Sequence, residues 1–150
     1  MRIREWNKNE SIPINLLLLA DPSYSSIDEC VRRGDCFIAE EEEEIIGIFI
    51  LLPTRFRTIE IVNVAVVKER QGKGIGKELV KSAIEKARQA GYKTIEVGTG
   101  NSSLEQLALY QKCHFRMISV DSDFFTKAYT EEIYENGIQC RDMIRLSQDL

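Results

Sequence analysis

The sequence predicts an α/β protein built on a mixed, mostly antiparallel sheet, and three observations carry that expectation. Short β-branched or apolar runs alternate with segments of helical periodicity along the chain. The early strands, Cys36 to Ala39 and Ile45 to Pro53, flank five consecutive glutamates as hairpin arms flank a turn. The later strands, Thr58 to Val67 and Thr94 to Val97, are separated by a long amphipathic helix, the mark of a βα crossover. At 150 residues, with no repeat, linker or low-complexity stretch, the whole span 1–150 reads as a single domain.

The elements follow in order. Arg2 to Trp6 alternates as a short strand, and Ser11 to Ala20 is a leucine-rich helix that stops before Asp21-Pro22. Ser25 to Arg33 is a second helix. The block Glu40–Glu44 repels itself and is expected as a solvated turn, since adjacent strand glutamates point to opposite faces. Thr58 to Val67 is the richest in β-branched residues and therefore the most central strand. Gly74 to Ala90 places Ile75, Leu79, Val80, Ala83, Ile84 and Ala87 on one helix face and ends at Gly91. After Thr94 to Val97, the run Gly98-Thr-Gly100-Asn101 reads as a turn, and Ser103 to Lys112 as an amphipathic helix. Arg116 to Phe125 is a strand, Lys127 to Gly137 a long loop and Cys140 to Leu146 the last strand.

Composition excludes several functions. Twenty basic against twenty-four acidic side chains give a net charge of −4. Such a balance opposes general nucleic-acid binding, which needs clustered Lys and Arg to release counterions. The apolar runs Leu16 to Ala20 and Ile45 to Leu52 are too short to span a membrane. The start, Met-Arg-Ile-Arg-Glu-Trp, lacks the apolar core of a signal peptide, so a cytoplasmic location is expected. There Cys30, Cys36, Cys113 and Cys140 stay reduced, as buried or partly buried thiols. Their spacings fit no zinc pattern beside a single His, and no metal is expected.

The chemistry concentrates in Val66-Val-Lys-Glu-Arg70-Gln71-Gly72-Lys73-Gly74-Ile75-Gly76-Lys77, between a buried strand and a helix. Alternating glycines let a backbone approach a ligand, and the helix start offers free N–H groups and the positive end of its dipole. Together they suit a phosphate. A P-loop is excluded: Gln71 stands where its first Gly belongs and Glu78 replaces the magnesium-binding hydroxyl. A dinucleotide fingerprint also fails, with Lys77 in place of its third Gly.

Gln71, Gly74 and Gly76 instead spell Gln-x-x-Gly-x-Gly, preceded by Asn63-Val-Ala-Val66 and followed by Leu109-Tyr110-Gln-Lys-Cys-His114-Phe115. The set resembles the GCN5-related N-acetyltransferase (GNAT) superfamily, whose acyl-CoA diphosphate loop and Leu-Tyr-x-x-x-Gly-Phe element have these spacings. The resemblance implies a six- to seven-stranded sheet, splayed between its fourth and fifth strands and flanked by four helices. It implies acetyl-CoA as co-substrate and a primary amine on an unidentified small molecule or protein as acceptor, joined in a ternary complex. Backbone groups of Val64, Ala65 and Val66, freed by a β-bulge, would meet the pantetheine arm. The amides of Gln71, Gly72, Lys73, Gly74, Ile75 and Gly76 would hold the diphosphate, with positive charge from Arg70 and Lys73.

The same resemblance places Tyr110 where a phenol protonates the departing thiolate, and Glu60 where a carboxylate serves as base, often through water. Glu96 and water are rivals for the base. Strand alternation puts Glu60 with Val62 and Val64 until a bulge resets the count. An Asn near the coenzyme is usual where this chain has Ser103, and Asn101 is a substitute for it or a turn cap. His114 replaces the family's Gly. These departures leave a second reading, a catalytically silent acyl-CoA-binding module. The segment Asp123 to Ile138, with four aromatics and three glutamates, reads either as a wall for a cationic amine or as a surface or homodimer contact.

Overall fold

The computed structural model describes residues Met1–Leu150. Its first half is an antiparallel meander of β1 (Arg2–Glu5), β2 (Asp35–Glu41), β3 (Glu44–Arg55) and β4 (Thr58–Val66), with α1 (Ile14–Leu18) and α2 (Tyr24–Arg33) inserted after β1. A 3-10 turn at Lys68–Arg70 leads into α3 (Ile75–Gln89), β5 (Thr94–Gly100), α4 (Leu104–Lys112), β6 (Arg116–Asp121) and α5 (Phe124–Ala128). The chain closes with β7 (Tyr134–Glu135), β8 (Ile138–Gln139) and β9 (Met143–Asp149).

Seven strands form one sheet in the order β1-β2-β3-β4-β5-β9-β6, and β7-β8 stand apart as a hairpin. Only β4 and β5 run parallel. Both faces of the sheet are covered. On one side α3 and α4 bury Leu79, Val80, Ala83, Ala87 and Tyr110 against Phe49, Ile59, Ile61, Ile95 and Leu146. On the other, α1 and α2 bury Leu16, Leu17 and Ile27 against Ile48, Ile50 and Ala65. Each fully buried aliphatic side chain contributes about 1.5–3 kcal/mol, so the periodicity of α3 amounts to a strong anchor on the sheet. No helix is long and apolar enough to cross a membrane, and all four cysteines are free thiols, three buried and Cys30 half-buried.

Several expectations shift. The flanking helices number five rather than four, because the strand from Arg116 stops at Asp121. Asp123, at φ 61, turns the chain, and Phe124–Ala128 wind into α5. The first helix begins only at Ile14, because Pro13 keeps the residue before it out of helical space. The glutamate block is only partly a turn: Glu42 and Glu43 form its tip, Glu40 pairs with Arg4, and Glu41 with Arg70. The expected loop to Gly137 contains the first arm and the tip of the β7–β8 hairpin, whose Asn136-Gly137 tip has φ 55 and 74, the two left-handed residues of a type I′ turn.

The last strand runs from Met143 to Asp149 rather than from Cys140 to Leu146, and β5 continues through Gly98 to Gly100 instead of turning there. One side chain accounts for both. Asn101 Oδ1 accepts from the backbone N–H of Arg141 at 2.8 Å and Asp142 at 3.0 Å, and its amide donates to Gln139 O at 3.1 Å. The chain at 139–142 is thus held as a loop, and β9 starts where it is released, with Met143 opposite Gly100.

Candidate active site

The parallel pairing of β4 with β5 lasts only from Thr58 opposite Thr94 to Ile61 opposite Val97. Beyond it the strands part. At that point β4 carries a bulge: Ile50 of β3 pairs with Asn63 but Leu51 pairs with Ile61, leaving Val62 as the extra residue. Side-chain parity flips there. Ile59 and Ile61 pack with α3, as do Val64 and Val66, whereas Val62 and Ala65 pack with α1 and α2. Glu60 therefore shares a face with Val62, and the bulge moves Val64 to the opposite one.

The parted segment presents backbone groups to the gap. Val67 N–H donates to Ile46 O in β3, so by alternation Val66 and Val64 turn their N–H and C=O away from β3, and Ala65 turns its own toward it. Val66 O accepts from Gln71 Nε2 at 3.0 Å, which ties the following loop to the open edge. In that loop Gly72 and Gly74 have φ 77 and 84, and a Cβ at either would meet no atom within 4 Å. Gly74 is the N-cap of α3, with no side-chain cap. The first intrahelical bond runs from Glu78 N–H to Gly74 O, so the amides of Ile75, Gly76 and Lys77 lie free at the positive end of a 15-residue helix. Lys73 is exposed beside them, whereas Arg70 is held by Glu41 at 2.6 Å. Free amides at a helix start beside an exposed lysine are an arrangement that can hold an anion, and the unpaired edge of β4 next to it can hydrogen-bond an extended chain.

Glu60 and Glu96 stand opposite each other across the β4–β5 ladder, one rung from its end. Glu96 is engaged by Arg55 at 2.7 Å. Glu60 has no such partner; desolvation by burial raises its pKa above the ordinary 4.5, the neighbouring Glu96 adds to the rise, and Arg145 and Arg55 oppose it. Tyr129 Oη donates to Asp21 at 2.9 Å, joining the segment after α5 to the α1–α2 connection. On the opposite face Tyr110 is 4% exposed, and burial pushes its phenol pKa well up, so it stays protonated.

The acetyltransferase (GNAT) family profile matches residues 3–115. The chain belongs to the GNAT acetyltransferase family. It is 57% identical over 150 residues to the uncharacterized N-acetyltransferase YvbK of Bacillus subtilis (strain 168), covering 100% of this chain and 97% of that protein. A Bacillus subtilis acetyltransferase solved in complex with CoA superposes with TM-score 0.95 at 54% identity, covering 99% of this chain and 98% of that one. A GNAT family acetyltransferase from Elizabethkingia anophelis with acetyl-CoA bound gives TM-score 0.97 at 46% identity, covering 99% and 97%. The protein is thus an acyltransferase enzyme with the GNAT fold.

The GNAT element Leu-Tyr-x-x-x-Gly-Phe has a plain physical basis here. Phe115 N–H donates to Tyr110 O and His114 N–H to Gln111 O, the two bonds of a Schellman cap. The Phe115 ring meets the Tyr110 ring edge-on at 5.9 Å, the hydrophobic contact that accompanies such a cap. The cap thus fixes the position of Tyr110. His114 occupies its left-handed residue, at φ 74, where a Cβ is disfavoured. His114→Gly should therefore stabilise the fold by about 1 kcal/mol, raising Tm by about 2–4 °C in a thermal melt, with turnover unchanged.

The two residues expected at the mouth of α4 are already engaged. Asn101 holds the loop before β9, as described, and Ser103 Oγ donates to Glu135 Oε1 at 2.8 Å. Asn136 Nδ2 adds a bond to Ser102 O at 2.9 Å, so the β7–β8 hairpin covers the start of α4. The Asn136-Gly137 dipeptide is the sequence signal that reveals this hairpin. For the Arg55–Glu96 pair, 41 residues apart, no local signal exists.

Proposed function

We propose that the enzyme transfers an acetyl group from acetyl-CoA to a primary amine in a single direct step within a ternary complex. The observation that carries this reading is that the β4–β5 opening connects two chemically different faces. Tyr110 and the anion cradle lie on the α3–α4 side, and Glu60 and Glu96 on the α1–α2 side. Bound acetyl-CoA supplies an activated thioester carbonyl. The amides from Gln71 to Gly76, with the charge of Lys73, bind its diphosphate, and Val64 and Val66 align its pantetheine arm while Ala65 stays in the ladder. Asn101 and Ser103 brace the wall behind the arm. Glu60 takes the proton of the incoming amine, directly or through water, and Tyr110 Oη gives its proton to the sulfur as the C–S bond breaks. Calorimetric titration with acetyl-CoA, followed by thiol release with a panel of primary amines, tests the reading. Saturable heat and amine-dependent CoA release are expected, and absence of either overturns it.

The base assignment has a pH signature. Because burial raises the Glu60 pKa, the acid limb of the rate profile lies above the ordinary carboxylate range. Glu60→Gln should erase that limb; an unchanged profile removes Glu60 from the chemistry. A group with a raised folded-state pKa stabilises the fold below its unfolded pKa and loses that contribution as pH rises through the folded value. Glu60→Gln should accordingly raise Tm at neutral pH, and the gain should vanish below about pH 4.5.

A further inference from the structure

The two edges of the sheet differ. The outer strand β1, Arg2-Ile3-Arg4-Glu5, is guarded by charge. The other outer strand, β6, pairs β9 on one side and nothing on the other, yet exposes Met117 at 53%, Ile118 at 55% and Val120 at 55%. An apolar strand edge with free N–H and C=O groups is a template for another strand.

The strand is complementary to itself. Met117 pairs with Leu146 and Val120 with Ile144, both packed on the α3–α4 face, so Met117 and Val120 share that face. Arg116 and Asp121 stand opposite Ser147 and Met143 and share the other face, while Ile118 is the extra residue of a bulge between them. A twofold axis between Ile118 and Ser119 would therefore set Arg116 against Asp121 of a second copy and Met117 against Val120. Each pair joins residues of one face: opposite charges on one, apolar groups on the other. Arg116 takes part in no ion pair within the chain, and Asp121 carries Arg145 at 2.7 Å with its remaining oxygen free for a second cation. The groove lined by Val120, Phe124 and Lys127 at the end of β6 lies where the start of the second strand would enter.

We propose that two copies of this chain associate through β6, antiparallel and in this register, joining two seven-stranded sheets edge to edge. Light scattering of the eluting full-length chain should give twice the 17.2 kDa chain mass. Met117→Glu with Val120→Glu should return the chain mass, with circular dichroism and acetyl-CoA affinity unchanged. Arg116→Glu should weaken the dimer by about tenfold. Register is read by oxidative cross-linking: Met117→Cys combined with Val120→Cys should form a covalent dimer that neither single cysteine forms. This pair also covers the case in which the glutamate variant fails to fold. A wild-type chain that is monomeric at about 100 μM, a dimer indifferent to the glutamates, or cross-linking by a single cysteine overturns the proposal.

Discussion

Tyr110→Phe should lower kcat by about 10²–10⁴-fold while acetyl-CoA affinity changes less than about threefold. The ring is 4% exposed and wedged against Phe115, so removing one hydroxyl leaves the packing and the Schellman cap intact. What it removes is a proton. Burial raises the phenol pKa, which keeps the hydroxyl protonated throughout the neutral range and available to a departing thiolate. Stopped-flow thiol release, with the dissociation constant measured separately by calorimetry, distinguishes the two quantities. Equal turnover would reduce Tyr110 to a packing residue; an equal loss of affinity and turnover would make it a binding residue instead.

Gly74→Val should raise the acetyl-CoA dissociation constant by about 10²–10³-fold, a loss of roughly 3–4 kcal/mol. Two effects combine. At φ 84 a β-branched residue distorts the N-cap of α3, so the free amides no longer converge. Its side chain would also project into space that holds no protein atom within 4 Å, the space assigned to the diphosphate. Strain alone is separable from that. Gly91, at φ 88 after the end of α3, is equally left-handed and open, and lies at the far end of the helix. Gly91→Val should therefore lower Tm by a similar amount with affinity unchanged. Matching affinity in the two variants would deny the loop its role.

What the chain discloses before folding is local. The strand–loop–helix around Gly72 to Gly76 is legible because glycine spacing and helical periodicity act over a few residues, and the same holds for Tyr110 and Phe115. The splay between β4 and β5 follows from the family resemblance rather than from any residue pattern. The bulge that frees Val64 and Val66 has no signature within the run Thr58 to Val67; it is visible only once β3 is paired. Asn101 reads as a coenzyme contact or a turn cap, and becomes a staple only when Arg141 and Asp142, about 40 residues on, are brought to it. The fifth helix depends on the same long-range anchorage, since Asp123 N–H donates to Asp142 at 2.8 Å. Glu60 and Glu96 read as alternatives along the chain, whereas the ladder makes them neighbours with unequal company: Arg55 pairs Glu96 and leaves Glu60 without an ion-pair partner, which is what favours Glu60 in the proposed base role.

Amide hydrogen exchange, residue by residue, with and without acetyl-CoA, reaches the central claim most directly. Coenzyme should slow exchange at Val64 and Val66 and at the amides from Gly72 to Lys77, while Ala65, already in the ladder with β3, stays slow in both states. Saturable binding that leaves those amides exchanging freely, with protection gathered elsewhere on the chain, would contradict it.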